Sequence, residues 1–150
     1  MFLEAKANGI NVGDKANGQL NVMSGYRSYE YQESLFNSYV QQYKDKGYSE
    51  EDAIKKVETF SARPGTSEHQ TGLCIDMHTL SSADESFKST SEYKWLKANA
   101  HKFGFIIRFP EDKTDITGYS YESWHYRFVG VSAATEIYEK GLTLEEYLGK

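Results

Sequence analysis

Apolar residues along the chain recur with two periods, and the periods separate helices from strands. After Ser28, the residues Leu35, Phe36, Tyr39, Val40 and Tyr43 fall three and four apart, which places them on one face of a helix. Ser28 suits its N-cap and Gly47 its end. Ser49 with Asp52 has the form of a capping box, and Ala53, Ile54, Val57 and Phe60 supply the apolar face of the next helix. Alternation replaces this spacing at residues 73–77. There Leu73, Ile75 and Met77 point one way, and Cys74, Asp76 and His78 the other. Residues 124–129 alternate too, with His125, Arg127 and Val129 on one face and Trp124, Tyr126 and Phe128 on the opposite one. Residues 19–23 and 105–109 read as further strands, the second ended by Pro110 and the first followed by a turn at Ser24-Gly25. Residues 1–8 read as the end of a helix stopping near Gly9. A helix capped by Ser91 runs through Lys102 with Gly104 as its stop. Another covers 132–140 and stops at Gly141, and Thr143 with Glu146 is a capping-box pattern for a last short helix. Residues 61–72, 79–90 and 110–120 read as loops. Helices first, then strands separated by long loops, predict an α+β fold with a small antiparallel sheet.

Length and composition narrow the function. A chain of 150 residues without repeats or linkers, its only prolines Pro64 and Pro110, is expected to form one domain over 1–150. A net charge of −5 leaves no broad basic face, so nucleic acid is excluded as a partner. No apolar run approaches the roughly 20 residues of a membrane span, so no transmembrane segment is expected. The first residues lack the basic and apolar regions of a secretory signal. Cys74 stands alone, which excludes an intrachain disulfide and a cysteine-rich zinc site. An acidic single domain fits a monomer. The 12 tyrosines suit a wet groove or the edge of a core.

Candidate chemistry comes from two of the four histidines. His69 precedes a strand that carries Asp76 between Ile75 and Met77, where an acid is costly unless paired or metal-bound. His125 starts another strand. Two imidazoles and one carboxylate make an open zinc site with a position left for water. Glu122, three residues before His125, can stand beside such a metal as general base and later return a proton to a leaving amine. No HExxH helix is present. The iron facial triad is a related donor set, and the six residues between His69 and Asp76 speak against it. His78 reads as a strand-end residue or a support behind Asp76. His101, near a helix C-terminus, suits the helix dipole.

Three ordered segments carry a resemblance. Ser24-Gly25-Tyr26-Arg27-Ser28 with Gln32 is similar to an SGYRS…Q motif. Ser67-Glu68-His69 through Gly72 and Asp76 resembles SxHxxGxAxD, and Glu122-Ser123-Trp124-His125-Tyr126-Arg127 resembles ExWHxR. In order and spacing these resemble the motifs of the VanY/LdcB-type D-alanyl carboxypeptidases, a group within the wider set of lysostaphin, D-Ala-D-Ala metallopeptidases and the sonic hedgehog domain. The resemblance covers about residues 17–149. It implies one zinc ion held by His69, Asp76 and His125 on one face of the sheet, with helices on the other face and around it, and Glu122 as catalytic base. It places Arg27 at the substrate carboxylate or the developing oxyanion, with Gln32 and Ser67 holding the peptide end. Arg offers a planar fork for a carboxylate. Trp124 either walls the groove or belongs to the core. The implied substrates are peptidoglycan stem peptides ending in D-Ala, with D,D or L,D specificity open, and the implied location is extracytoplasmic, secreted or membrane-anchored. A cell-wall endopeptidase of the same chemistry and a non-catalytic zinc-containing binding module are the rival readings. Two positions depart from the family pattern. Cys74 replaces a small apolar residue, as a buried hydrophobe or a soft extra ligand, and Ser123 replaces a frequent proline.

Overall fold

The computed structural model describes residues 1–81 and 83–150. Strands β1 (Asn21–Ser24), β2 (Cys74–His78), β3 (Phe105–Ile107) and β4 (His125–Phe128) form one antiparallel sheet in the order β1-β2-β4-β3. Around it lie α1 (Phe2–Ala7), α2 (Tyr29–Asp45), α3 (Glu50–Glu58), α4 (Ser91–Asn99), α5 (Thr114–Thr117), α6 (Val131–Lys140) and α7 (Leu144–Tyr147).

Alternation decides the two faces of the sheet. Met77 of β2 and Tyr126 of β4 are fully buried and pack with Leu20, Phe87 and the α4 residues Tyr93 and Leu96. Fully buried Leu96 anchors this layer, and truncating it to Ala is expected to cost about 2–5 kcal/mol. Cys74, Asp76 and His125 point away from that core. Two smaller clusters complete the packing. Phe36 and Val40 of α2 meet Ala53 and Val57 of α3, and Ala134 and Ile137 of α6 cover Ile106 of β3.

The element ends depart from the sequence reading for local reasons. Ser24 lies in β1 rather than in a turn, because a register shift after Val22 pairs it with Asp76. β2 begins at Cys74, one residue later than expected, and runs on to His78. β3 stops at Ile107. Arg108 still donates its N–H to His125 at 3.1 Å, but the Phe109 ring stacks on Tyr119, and Pro110 then has no N–H to give. Thr90, not Ser91, caps α4 by accepting the Tyr93 N–H at 3.1 Å. The helix ends at Asn99 and tightens into a 3₁₀ turn, Ala100–Phe103. Gly104 then takes φ +83°, and an added Cβ would meet the Gly130 backbone at 3.1 Å, so a side chain is disfavoured twice over. Ser49 caps α3, but its hydroxyl also donates to the Asp52 carboxylate, so the box there is half made. Thr143 and Glu146 form the complete capping box. Three segments read as loops carry short structure: 3₁₀ turns at Glu68–Thr71 and Glu85–Ser89, and α5.

Candidate active site

One row of paired residues across the sheet builds the site. Ser24 of β1 lies opposite Asp76 of β2, and Asp76 lies opposite His125 of β4. His69 arrives from outside the sheet, on a 3₁₀ turn (Glu68–Thr71) whose N-cap Ser67 accepts the His69 N–H at 3.3 Å. Gly72 closes that turn at φ +70°. Two bonds strap the turn to the loop before α2. The Arg27 N–H donates to the His69 carbonyl at 3.1 Å, and His69 Nδ1 lies 2.6 Å from the Gly25 carbonyl.

These constraints bring the two imidazoles to a centroid separation of 5.0 Å, nearly perpendicular, with Asp76 between them. His69 Nε2 is 3.3 Å from Asp76 Oδ2, and His125 Nδ1 is 3.1 Å from Asp76 Oδ1. The outer nitrogens are engaged elsewhere. Gly25 takes Nδ1 of His69, and Glu68 Oε2 lies 3.4 Å from Nε2 of His125. Such outer partners fix a tautomer that leaves the inner nitrogen free to ligate. Glu122 Oε2 stands 3.7 Å from His125 Nδ1. All four groups are buried, and Asp76 Oδ1 has no hydrogen-bond partner among the described residues.

The electrostatics are those of a cation site. Burial opposes ionisation of Asp76, yet the His125 and His69 imidazoles that face its two oxygens hold it well below the usual carboxylate range. Burial would likewise discharge the histidines. Bonds to Asp76 and Cys74 outweigh it and raise His69 to about 9, and with Glu68 they raise His125 well above its ordinary value. Glu122 goes the other way: burial lifts it to about 7, against the pull of His125. A buried carboxylate poised near neutrality is suited to proton transfer. Two donor sets are available for a dication. One is His69, Asp76 and His125. The other, His69, Cys74 and His125, places one donor atom from each residue within 4.8 Å of the others. Burial raises the Cys74 thiol, but bonds to the two histidines bring it below its ordinary value.

The other expected site residues take distinct places. Arg27 borders the cleft and donates to Ser24 Oγ at 2.9 Å, Gln32 Oε1 at 3.2 Å and Asp76 Oδ2 at 2.7 Å. Gln32 is 1% exposed and lies behind Arg27, its amide donating to the Ala62 carbonyl at 2.8 Å, so it braces the guanidinium. Ser67 borders the cleft as well as capping the His69 turn. Trp124 does both things considered for it, packing against the core and edging the cleft. His78 does not support Asp76. Its nitrogens engage the Leu80 N–H and the Asp84 carbonyl, and its ring packs on Phe87. His101 stacks on Tyr138.

Three residues at the site were not singled out from the sequence: Glu68, Arg108 and the charge of Arg127. Glu68 accepts from Arg108 Nε at 2.7 Å and pairs with Arg127 Nη1 at 2.9 Å. Burial pushes its carboxyl up, but bonds from His125 and Arg108 bring it to about 2. Its adjacency to His69 was the available signal. The whole constellation opens into a cleft of about 820 Å³, whose far wall includes Tyr31, Leu35 and Tyr39 of α2 and Phe60.

Comparison with known proteins follows this geometry. Residues 1–131 match the family model described as VanY, D-alanyl-D-alanine carboxypeptidase. The chain belongs to the VanY family. It is 52% identical over 128 residues to a D-alanyl-D-alanine carboxypeptidase of Enterococcus faecalis, covering 85% of this chain and 46% of that protein. The fold superposes with a TM-score of 0.81 on the vancomycin-resistance D,D-pentapeptidase VanY in complex with Zn(II), at 47% identity over 98% of this chain and 76% of the other. It superposes equally well, TM-score 0.81, on the LdcB LD-carboxypeptidase, at 42% identity over 100% of this chain and 64% of that one. The chain spans about half the length of the first curated relatives it matches. The VanY fold is therefore shared with both D,D and L,D enzymes. Among the described residues no helix is long and apolar enough to cross a membrane.

Proposed function

We propose that this chain is a zinc-dependent carboxypeptidase that removes the C-terminal D-alanine from peptidoglycan stem peptides. The observation that carries the reading is the convergence of His69, Asp76 and His125 beside Glu122 at the floor of one cleft. Asp76 is the better third ligand than Cys74. Its two oxygens already face the two inner nitrogens, at 3.3 and 3.1 Å, and Oδ1 is buried with no hydrogen bond of proper geometry to spend elsewhere. Zinc, which the VanY relative binds, supplies there a Lewis acid for the scissile carbonyl and lowers the pKa of water to about 7.

The chain's own residues do the rest. Glu122 is the catalytic base. It takes a proton from the attacking water and gives it to the departing D-Ala amine, so its carboxyl is unchanged after one turnover. Arg27, fixed by Ser24 and Gln32, presents its guanidinium to the terminal carboxylate or to the oxyanion as it develops. Ser67 and Trp124 border the peptide's path. Peptidoglycan lies outside the cytoplasmic membrane, so the reading implies extracytoplasmic action, by one domain working as a monomer.

Mass spectrometry of two wall peptides incubated with the zinc-loaded protein tests this. Loss of one alanine from a pentapeptide ending in D-Ala-D-Ala means D,D activity. Loss from a tetrapeptide ending in a single D-Ala means L,D activity. Zinc bound with neither peptide shortened overturns the carboxypeptidase reading and favours an endopeptidase or a binding module.

A further inference from the structure

The C-terminal helix α7 lies beyond the residues matched by the family model, yet it is tied to the metal site by charge. Glu145 of α7 takes both Nη groups of Arg108, at 3.0 and 2.5 Å. With its fork end turned to Glu145, Arg108 meets Glu68 through Nε, which goes to Oε1 at 2.7 Å. Arg127 goes to the same oxygen at 2.9 Å. Both guanidiniums therefore sit on Oε1 of Glu68, and Oε2 remains for Nε2 of His125 at 3.4 Å. Arg108 is mostly buried, so this network is shielded from solvent.

We infer that Arg108 and Glu145 are positioning residues for His125, acting through Glu68, and that α7 is thereby part of the metal site. The inference rests on the reading of His125 as a ligand. Its logic is one of competition for donors. An arginine free of Glu145 can turn its fork onto both oxygens of Glu68, the preferred bidentate geometry for Arg and carboxylate. Oε2 is then shared with a charged donor and drawn toward Arg108, so its already long contact with His125 Nε2 weakens and the ring is held less firmly in orientation and tautomer. Outer partners of ligating histidines carry about 10- to 100-fold in metal affinity or activity. Glu145 acts one residue further out, so an effect at the lower end of that range is expected.

The same helix supplies the control. Lys113 pairs with Glu146 of α7 at 3.0 Å and touches none of Glu68, Arg108 or His125 by the contacts described. Zinc dissociation constants are measured by chelator competition for the parent, Glu145→Gln, Arg108→Lys, Lys113→Met and His125→Ala, with thermal unfolding of each. Glu145→Gln and Arg108→Lys are expected to weaken zinc about 10-fold, and Lys113→Met to leave it unchanged at a comparable loss of melting temperature. The Co(II)-substituted Glu145→Gln protein is expected to show a displaced visible spectrum, which a purely structural role would not produce. Unchanged zinc affinity in Glu145→Gln, or equal weakening in Lys113→Met, overturns the inference. Undiminished zinc binding in His125→Ala instead overturns the ligand assignment beneath it.

Discussion

Replacing Glu122 by Gln is expected to stabilise the metal-free protein while removing its catalysis. Glu122 is 7% exposed, and burial lifts its carboxyl from 4.5 to about 7. That displacement corresponds to about 3 kcal/mol. Its sign follows from linkage. The folded chain holds this proton more tightly than the unfolded one, so the folded state is favoured below 4.5. That advantage is lost as pH rises through about 7. Gln carries no charge to bury and loses nothing over that range. The variant therefore gains under about 1 kcal/mol at pH 5 and about 3 kcal/mol at pH 8. In a chain of this length the larger gain is roughly 6–12 °C in melting temperature. Urea unfolding in the presence of a chelator, at both pH values, reads the difference directly. A gain independent of pH, or a loss at pH 8, refutes the placement of a carboxylate there at thermodynamic cost. With zinc restored, kcat of the same variant is expected to fall about 10²- to 10⁴-fold at unchanged metal content, and retained activity refutes Glu122 as the base.

Three further outcomes follow from individual contacts. Arg27 reaches its three acceptors from three separate nitrogens of a planar fork, a span that one ammonium nitrogen cannot cover, so Arg27→Lys is expected to lower kcat/KM about 10- to 100-fold. Peptides ending in a carboxamide tell whether it reads the terminal carboxylate, since the parent and the variant then cleave them equally. Cys74→Ala is expected to retain one zinc per chain and to leave peroxide sensitivity unchanged if, as proposed, Asp76 rather than the thiol completes the donor set; loss of zinc on elemental analysis refutes this. The Tyr126 hydroxyl is buried without a partner among the described residues, so Tyr126→Phe is expected to be neutral or stabilising by up to about 1–3 kcal/mol. A melting temperature lowered by several degrees would mean that the hydroxyl is satisfied in solution.

Much of the proposed ligand set is legible in the sequence because it depends on short-range rules. An acid between Ile75 and Met77 cannot face the core without great cost, so alternation alone turns Asp76 to the other face. The same rule turns His125 away from the face of Tyr126. What alternation does not contain is register. Asp76 meets His125 because β2 and β4 pair antiparallel at exactly those two residues, and Ser24 joins the row only through the irregularity after Val22. Strand ends depart from the local pattern where a long-range contact competes with it, as where Phe109 leaves the line of β3 to stack on Tyr119. The His69 turn was read as loop, since a 3₁₀ turn of four residues has no apolar periodicity to reveal it.

The supports of the ligands were less legible than the ligands, and the reason is physical. A metal ligand needs a particular residue type, so the proposed ligands His69, Asp76 and His125 announce themselves by composition. Its outer partner needs only an acceptor in the right place. For His69 that acceptor is a backbone carbonyl, Gly25, which no side chain can signal. For His125 it is Glu68, whose position next to His69 makes it look like ordinary turn polarity. Gln32 shows a second role that the motif does not signal: besides the substrate contact expected of it, it is buried behind Arg27 and braces the guanidinium. The sheet explains why such braces are necessary. One face carries a close-packed core that holds β2 and β4 in register. The other gathers several buried ionisable groups that a core would exclude, and their orientation must come from hydrogen bonds because apolar packing cannot supply it. The stability given up at that face is the condition for the cation-binding, proton-transferring cleft proposed for it.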